Sequence, residues 1–264
     1  MDIVVCMKQV PDTETKIQVN PQGTGILTEG IKYVMNPYDE FAVEEALRIK
    51  EKFGGTVTIV SMGPQRATEA IRTALAMGAD KGVHLNDAAF EGADSYATAK
   101  ALAAAIQKLP FQILLAGKQA VDLDNSQVFA ALAEMLGIPH VSVVTKLEIA
   151  ADGKSAVAER EIEGGAKEVI QVSLPALFAA QKGLNEPRYA SLPGIMKAKK
   201  KPIDLVDLAK SGLAATDVGE KGSKLKITRF SLPPERQAGK ILEGEPEQVA
   251  AQVVKLLREE AKVI

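Results

Sequence analysis

The sequence predicts an α/β fold: a parallel sheet flanked by helices, with antiparallel hairpins and an extended C-terminal arm. Three observations carry this. From residue 2 to about 140, short β-branched runs alternate with amphipathic helical stretches, the pattern of successive βα units. After Pro139 the chain changes to alternating β residues broken by Asp152-Gly153 and Gly164-Gly165, which reads as antiparallel hairpins. The 264 residues, 46% hydrophobic and 25% charged, suffice for one large domain with a substantial core plus an extension.

The elements follow in order. Ile3-Val4-Val5-Cys6-Met7 is a compact buried strand. A loop with turn signals at Asn20-Pro21 and from Gly23 to Gly25 leads to Asn36-Pro37-Tyr38-Asp39-Glu40-Phe41, where a helix begins. Asn36 suits the N-cap, Pro37 the first turn, and Asp39 and Glu40 the positive end of the helix dipole. Phe41, Ala42, Ala46 and Leu47 form its apolar stripe, and Gly54-Gly55 stops it. A second strand over 56–61 closes at Met62-Gly63-Pro64. The next helix places Ala67, Ile71, Ala74 and Leu75 on one face and ends at Gly78. A short strand at 83–85, an Ala-rich helix at about 93–109 and a strand at 111–116 continue the alternation. The loop from Gly117 to Ser126 then precedes a helix over about 127–136, ended by Gly137.

From about Leu184 the composition shifts, with Pro187, Pro193, Gly194 and the basic run Lys197, Lys199, Lys200 and Lys201, so the globular domain is expected to end near residue 183. Beyond lie a candidate strand over 225–230 and a helix after Pro246 with Val249, Val253, Leu256 and Leu257 on one face. Such a tail cannot form a core alone, so its apolar face must dock on the main domain or on another protein.

Composition removes several function classes. A net charge of −2 offers no general attraction to nucleic acid. One cysteine makes no internal disulfide, zinc cluster or CxxC pair, so redox work needs a borrowed cofactor. His84 and His140 are the two histidines, and neither has a Cys, Asp or Glu at metal-ligand spacing, which removes most His-based chemistry. The start Met1-Asp2-Ile3-Val4 lacks the basic region of a signal peptide, and no apolar run approaches the roughly 20 residues of a membrane span. A cytoplasmic protein is expected. GxGxxG and GxxxxGK[ST] are both absent, which disfavours a Rossmann dinucleotide site and a P-loop.

Three loops leave the carboxyl ends of the expected parallel strands: the one reaching Asn36, the one at Met62-Gly63-Pro64, and the one from Gly117 to Gln127. In open α/β sheets ligands bind at that edge. The helix starting near Gln127 would present free backbone amides, with Asn125 or Ser126 as caps, which suits a phosphate, and Asp122 and Asp124 can bond ribose hydroxyls. An adenine nucleotide fits this arrangement, and so does the plainer reading of Gly and Asp as ordinary turn residues. Cys6, within an apolar strand, reads as a small buried side chain rather than a reactive thiol. Tyr189, Leu192, Ile195 and Met196 are apolar residues amid Pro and Gly, directly followed by the lysines, and read as a docking surface.

The stretch Asn185-Glu186-Pro187-Arg188-Tyr189-Ala190-Ser191-Leu192-Pro193-Gly194-Ile195-Met196-Lys197-Ala198-Lys199-Lys200-Lys201 resembles the recognition loop of the electron-transfer flavoprotein β-subunit family. Met35-Asn36-Pro37-Tyr38-Asp39-Glu40, Arg72-Thr73-Ala74-Leu75-Ala76-Met77-Gly78-Ala79-Asp80, Gly117-Lys118-Gln119-Ala120 with Asp122, and Arg160-Glu161-Ile162-Glu163-Gly164-Gly165 extend the likeness over essentially the whole chain. The resemblance implies an adenine nucleotide α-hydrolase-like core, a structural AMP in this chain, and a heterodimer whose α-subunit holds most of an FAD site. It implies an electron carrier without bond-making catalysis of its own. Electrons would come from flavin dehydrogenases, such as the acyl-CoA dehydrogenases of fatty acid β-oxidation, and pass to a membrane quinone oxidoreductase.

Carried over by position, the cofactor site would use Cys6, Asn36, Pro37, Tyr38, Asp39, Met62, Gly117, Ala120, Asp122, Asp124, Ser126, Gln127 and Val128, with Tyr38 near the flavin ring. The partner surface would use Tyr189, Leu192, Ile195, Met196, Lys197, Lys199, Lys200 and Lys201, with Leu192 as its anchor. The layout is then a nucleotide-binding domain over 1–183, a recognition loop over 184–201 and an arm over 202–264 that wraps the α-subunit. Flavin-bifurcating members, which hold a second FAD in place of AMP, tend to have Gly where Leu123 stands here. A side chain there obstructs close backbone approach to the larger cofactor, so AMP is preferred. The alternatives are such a bifurcating member and a universal-stress-type nucleotide-binding domain, against which the arm and the 189–201 segment argue.

Overall fold

A computed structural model describes residues 1–234 and 239–264. These form two compact units, one of residues 1–17 and 27–228, the other of residues 18–26 and 229–264.

The larger unit begins with β1 (Ile3–Cys6), buried at every position. A two-stranded antiparallel ribbon, β2 (Gln9–Pro11) and β3 (Tyr33–Met35), leads into α1 (Pro37–Phe53). Then come β4 (Val57–Met62), α2 (Ala67–Met77), β5 (Lys81–Leu85), α3 (Ser95–Ile106), β6 (Ile113–Gly117) and α4 (Val128–Leu136). The expected alternation is thus present, with helix ends at Gly54, Gly78 and Gly137 as the sequence indicates. The chain continues through β7 (His140–Ile149), β8 (Ser155–Glu161), β9 (Lys167–Ser173) and β10 (Ala176–Ala180). It ends with α5 (Leu192–Ala198), β11 (Ile203–Val206), α6 (Leu208–Ser211) and α7 (Gly219–Gly222).

Nine strands form one sheet in the order β11-β5-β4-β1-β6-β10-β7-β8-β9. Pairing is parallel from β11 to β7, and β7-β8-β9 is antiparallel. Period-two alternation divides the core into two layers. Ile3 and Val5 of β1 face α1 and α2, while Val4 and Cys6 face α3 and α4. The chain runs from β1 outward to β4 and β5, then returns to place β6 on the other side of β1. That reversal opens a crevice beyond the carboxyl ends of β1 and β6, where open α/β sheets bind ligands.

Three expectations need correction. The hairpins at Asp152-Gly153 and Gly164-Gly165 are present, but β10 is not part of them: it inserts parallel between β6 and β7, with all five residues buried. The main unit also continues beyond residue 183. β11 pairs with β5, Ile203 opposite Gly82, and Gly82 has no side chain to collide with Ile71 or Ile203. Beyond it, Lys100 pairs with Asp217 at 2.7 Å and Lys108 donates to the carbonyls of Lys210 and Ser211, which fastens this stretch to α3. Finally, residues 225–230 form no strand. The amides of Lys224 and Leu225 are taken instead by the carboxylate of Asp94, the N-cap of α3.

In the smaller unit the expected C-terminal helix is α8 (Pro246–Glu259), which has no buried residue. No helix among the described residues is long and apolar enough to cross a membrane.

Candidate functional site at the β1 and β6 edge

The site is built on the first turn of α1. Asn36 occupies the N-cap, as expected, but its side chain does not cap the helix. Its Oδ1 accepts the amide of Val121 (3.1 Å) and its Nδ2 donates to the carbonyl of Gln119 (2.8 Å), so it bridges to the loop after β6. Pro37 supplies the fixed first-turn dihedral and needs no amide partner. Asp39, expected to complement the helix dipole, is buried, and its two oxygens accept the amides of Lys8 (2.7 Å) and Gly117 (2.9 Å). Burial pushes its carboxyl up to about 7, against the lowering effect of those hydrogen bonds. One side chain therefore ties the ends of β1 and β6 to α1. Gly117 makes this possible, since a Cβ there would run into Tyr38 and Asp39.

The loop after β6 is organised by polar contacts. The Lys8 ammonium donates to both oxygens of Asp122, at 2.8 and 2.7 Å. Gln119 donates from Nε2 to Asp124 (2.6 Å) and accepts at Oε1 from the Ser126 hydroxyl (3.0 Å). Asn125 donates to the Ser95 hydroxyl of α3 (3.2 Å). Asp124 and Ser126 both sit at φ 51°, in the left-handed region that non-glycine residues seldom occupy. Asn125 and Ser126 therefore do not cap α4 as the sequence led one to expect. Its N-cap is Gln127, and no side chain among the described residues caps it. The first amides of α4 thus lack a side-chain acceptor and suit an anion.

Cys6, at the end of β1, is 8% exposed, and burial pushes its thiol above its ordinary value, so it is an un-ionised packing group. Met62 ends β4, two residues past Val60, which pairs with Cys6, and packs on the α3 and α4 side. Tyr38 is half-buried, with the Lys118 ammonium 5.1 Å from its ring centroid. The structure brings the residues expected from β1, α1 and the 117–128 segment to one edge, with Met62 on the neighbouring strand. Lys8 belongs to the same edge and was not singled out from sequence, while Lys118 and Gln119 entered only as members of the 117–120 loop. The signal for Lys8 was position alone, two residues past the end of β1. His84 is not part of it: it is buried, with Nε2 3.0 Å from the Gly63 carbonyl and Nδ1 3.3 Å from the Thr68 hydroxyl.

This donor set fits a nucleoside monophosphate. Amides, the Ser126 hydroxyl and two lysines face the needs of a phosphate, and carboxylates those of ribose hydroxyls. Among the described residues of this edge, the carboxylates of Asp39, Asp122 and Asp124 and the hydroxyl of Ser126 each hold a structural hydrogen bond, and burial keeps the Cys6 thiol protonated.

A second surface lies at 189–200. Tyr189 is 98% exposed and Leu192 80%, with Ile195, Met196, Lys197, Lys199 and Lys200 also exposed. Part of this segment is the helix α5, capped by the Ser191 hydroxyl, which accepts the amide of Gly194 at 3.1 Å. Lys201 is a correction to the expected surface. Its ammonium turns inward to the carbonyls of Leu75 (2.9 Å) and Ala79 (2.5 Å), because the carbonyls ending α2 need donors.

A family model described as the electron transfer flavoprotein domain matches residues 24–211. The chain is 46% identical over 266 positions to the electron transfer flavoprotein subunit beta of Bacillus subtilis, covering 100% of both. It is 41% identical over 251 positions to the protein of that name from Homo sapiens, covering 94% of this chain and 95% of the relative. It is 40% identical over 262 positions to the caffeyl-CoA reductase-Etf complex subunit CarD of Acetobacterium woodii, covering 98% of both.

Proposed function

The chain belongs to the electron transfer flavoprotein β-subunit family, and from that premise we propose that it is one half of a heterodimeric electron carrier that binds AMP structurally. Its α-subunit partner holds most of the FAD site. The observation that carries the nucleotide reading is the start of α4, without a side-chain cap at the switch point of the sheet. Residues Ser126, Gln127 and Val128 would hold the phosphate, and Asp122 and Asp124 the ribose. Gly117, Ala120, Asn36, Pro37 and Asp39 shape the floor, with Cys6 and Met62 as its apolar side. Leu123, 50% exposed in the middle of the loop, supports AMP over a second FAD by occupying space that close backbone approach requires.

The flavin, when bound, supplies the reversible acceptance of electrons. This chain's part is to present Tyr38 toward it, to hold the α-subunit through the apolar face of α8, and to dock the electron donor. Tyr189, Leu192, Ile195 and Met196 form the docking surface for flavin dehydrogenases, with Lys197, Lys199 and Lys200 at its rim. A membrane quinone oxidoreductase is the onward acceptor, and no bond is made or broken by this chain. The test is to purify the protein with its natural partner and record subunit content and visible spectrum. A yellow heterodimer is expected; a colourless, self-contained oligomer would overturn the reading.

A further inference from the structure

α5 has seven residues and opens Leu-Pro-Gly, far short of the roughly 12–15 residues at which a helix becomes marginally stable alone. Apart from Ala198, its side chains are exposed or half-buried, so hydrophobic burial does little to order it. Its middle meets α2 at Gly194, where a Cβ would run into the Ala76 carbonyl, and the structure contains a further device at each end.

Upstream, Arg188 lies across α1. Its Nε and Nη2 donate to Glu44 (2.8 and 3.0 Å), its Nη1 donates to Glu51 (2.5 Å), and its backbone amide also reaches Glu44 (3.2 Å). Asn185 donates to the Phe41 carbonyl (3.0 Å) and to Glu45 (2.9 Å). Phe41, Glu44, Glu45 and Glu51 follow helical spacing, so one face of α1 receives the whole stem. The Glu44 side chain is 4% exposed, where an unpaired charge is strongly disfavoured. Burial pushes its carboxyl up, and the hydrogen bonds from Arg188 and Arg48 reverse this and hold it below its ordinary value. Downstream, Nη1 of Arg72 in α2 donates to the carbonyls of Ala198 (2.5 Å) and Lys201 (2.6 Å). Lys201 returns its ammonium to the carbonyls of Leu75 and Ala79. α2 and α5 thereby satisfy each other's terminal carbonyls, and Ala198, 2% exposed, packs between them.

We infer that 189–196, with the helix α5 that it enters, is presented as a pre-ordered segment clamped at both ends to α1 and α2, with Arg188 and Arg72 as its positioning residues. The inference rests on reading that segment as the docking surface. A clamped surface enters a complex already ordered, so docking retains more of its gross interaction energy than a free loop would.

The experiment uses the heterodimer carrying Arg188→Lys, Arg72→Lys or Leu192→Ala. Arg188→Lys keeps a cation beside Glu44 but cannot span two carboxylates, which protects against simple misfolding, and Arg72→Lys probes the other end independently. Amide hydrogen exchange is read over 189–201, and electron transfer is read with an acyl-CoA dehydrogenase reduced by its acyl-CoA. Both lysine variants should speed exchange across α5 at least about tenfold, with the rest of the chain unchanged. They should also raise KM for the carrier about fivefold with kcat and flavin spectrum unaltered. Unchanged exchange in both would overturn the clamp. Faster exchange with unchanged KM, while Leu192→Ala raises KM, would overturn the positioning role. If Leu192→Ala also leaves KM unchanged, the docking reading itself fails, and the exchange data alone decide the clamp.

Discussion

Asp39 Oδ1 accepts the backbone amide of Gly117 at 2.9 Å and so joins the first turn of α1 to the end of β6. The other oxygen holds Lys8 past the end of β1, so the two strands that frame the crevice share one buried carboxylate. Replacing it by Asn leaves one amide without an acceptor, at about 1–3 kcal/mol. The pH dependence has a definite sign. Burial raises the folded-state value from 3.8 to about 7, so the folded state binds the proton more tightly than the unfolded chain does. This contribution to stability is fully present below about pH 4 and is lost as pH rises through 7. The stability difference between wild type and the non-titrating Asp39→Asn should therefore shift against wild type from pH 5 to 7.5 in urea denaturation. A difference that stays constant or moves the other way would show that Asp39 is already ionised at the lower pH.

The Lys8–Asp122 pair is the only direct link between a residue after β1 and the acid expected at the ribose, among the hydrogen bonds of the described residues. It is partly exposed and contributes about 1 kcal/mol or less to stability. Asp122→Ala should accordingly leave the melting temperature within a few degrees of wild type while AMP is lost on dialysis. Retained AMP at wild-type content would remove Asp122 from the site.

The strands that frame this site were legible because burial on both faces writes them as continuous apolar runs, as in Ile3-Val4-Val5-Cys6 and Ile113-Leu114-Leu115-Ala116. β10 was not, since Ala176-Leu177-Phe178-Ala179-Ala180 lacks a β-branched residue. It is a strand because the slot between β6 and β7 accepts small side chains, which is a tertiary cause. β11 escaped for a similar reason, being four residues that become a strand only beside β5. At the site, residue types pointed to the right loops, but not to how they are held. Asn36 was expected to cap its own helix and instead bonds across 85 positions to Val121, a choice that local sequence does not encode. Lys201 looked like its neighbours Lys199 and Lys200, and only the unfilled carbonyls at the end of α2 set it apart.

Leu192 is 80% exposed, so truncating it removes almost no packing from the fold. Leu192→Ala should keep the melting temperature, FAD and nucleotide of the wild type. It should weaken docking to the dehydrogenase by on the order of 2 kcal/mol, roughly 30-fold in affinity. Early melting with normal docking would instead identify a packing leucine.

α8 presents Val249, Val253, Leu256 and Leu257 on one face with none of them buried. An apolar stripe of that kind is covered in the working protein, and the α-subunit is its proposed cover. Leu257→Asp should weaken the heterodimer at least about tenfold, read by dilution in analytical ultracentrifugation. The circular dichroism spectrum of the separated chain mixture should not change. Unaltered subunit affinity would place α8 outside the interface.

The direct test is to denature the purified heterodimer and quantify released nucleotides by chromatography. AMP and FAD in equal amounts, each equimolar with the heterodimer, is the expected result. FAD at twice the heterodimer concentration with no AMP would contradict it, because the β1 and β6 edge would then hold a second flavin.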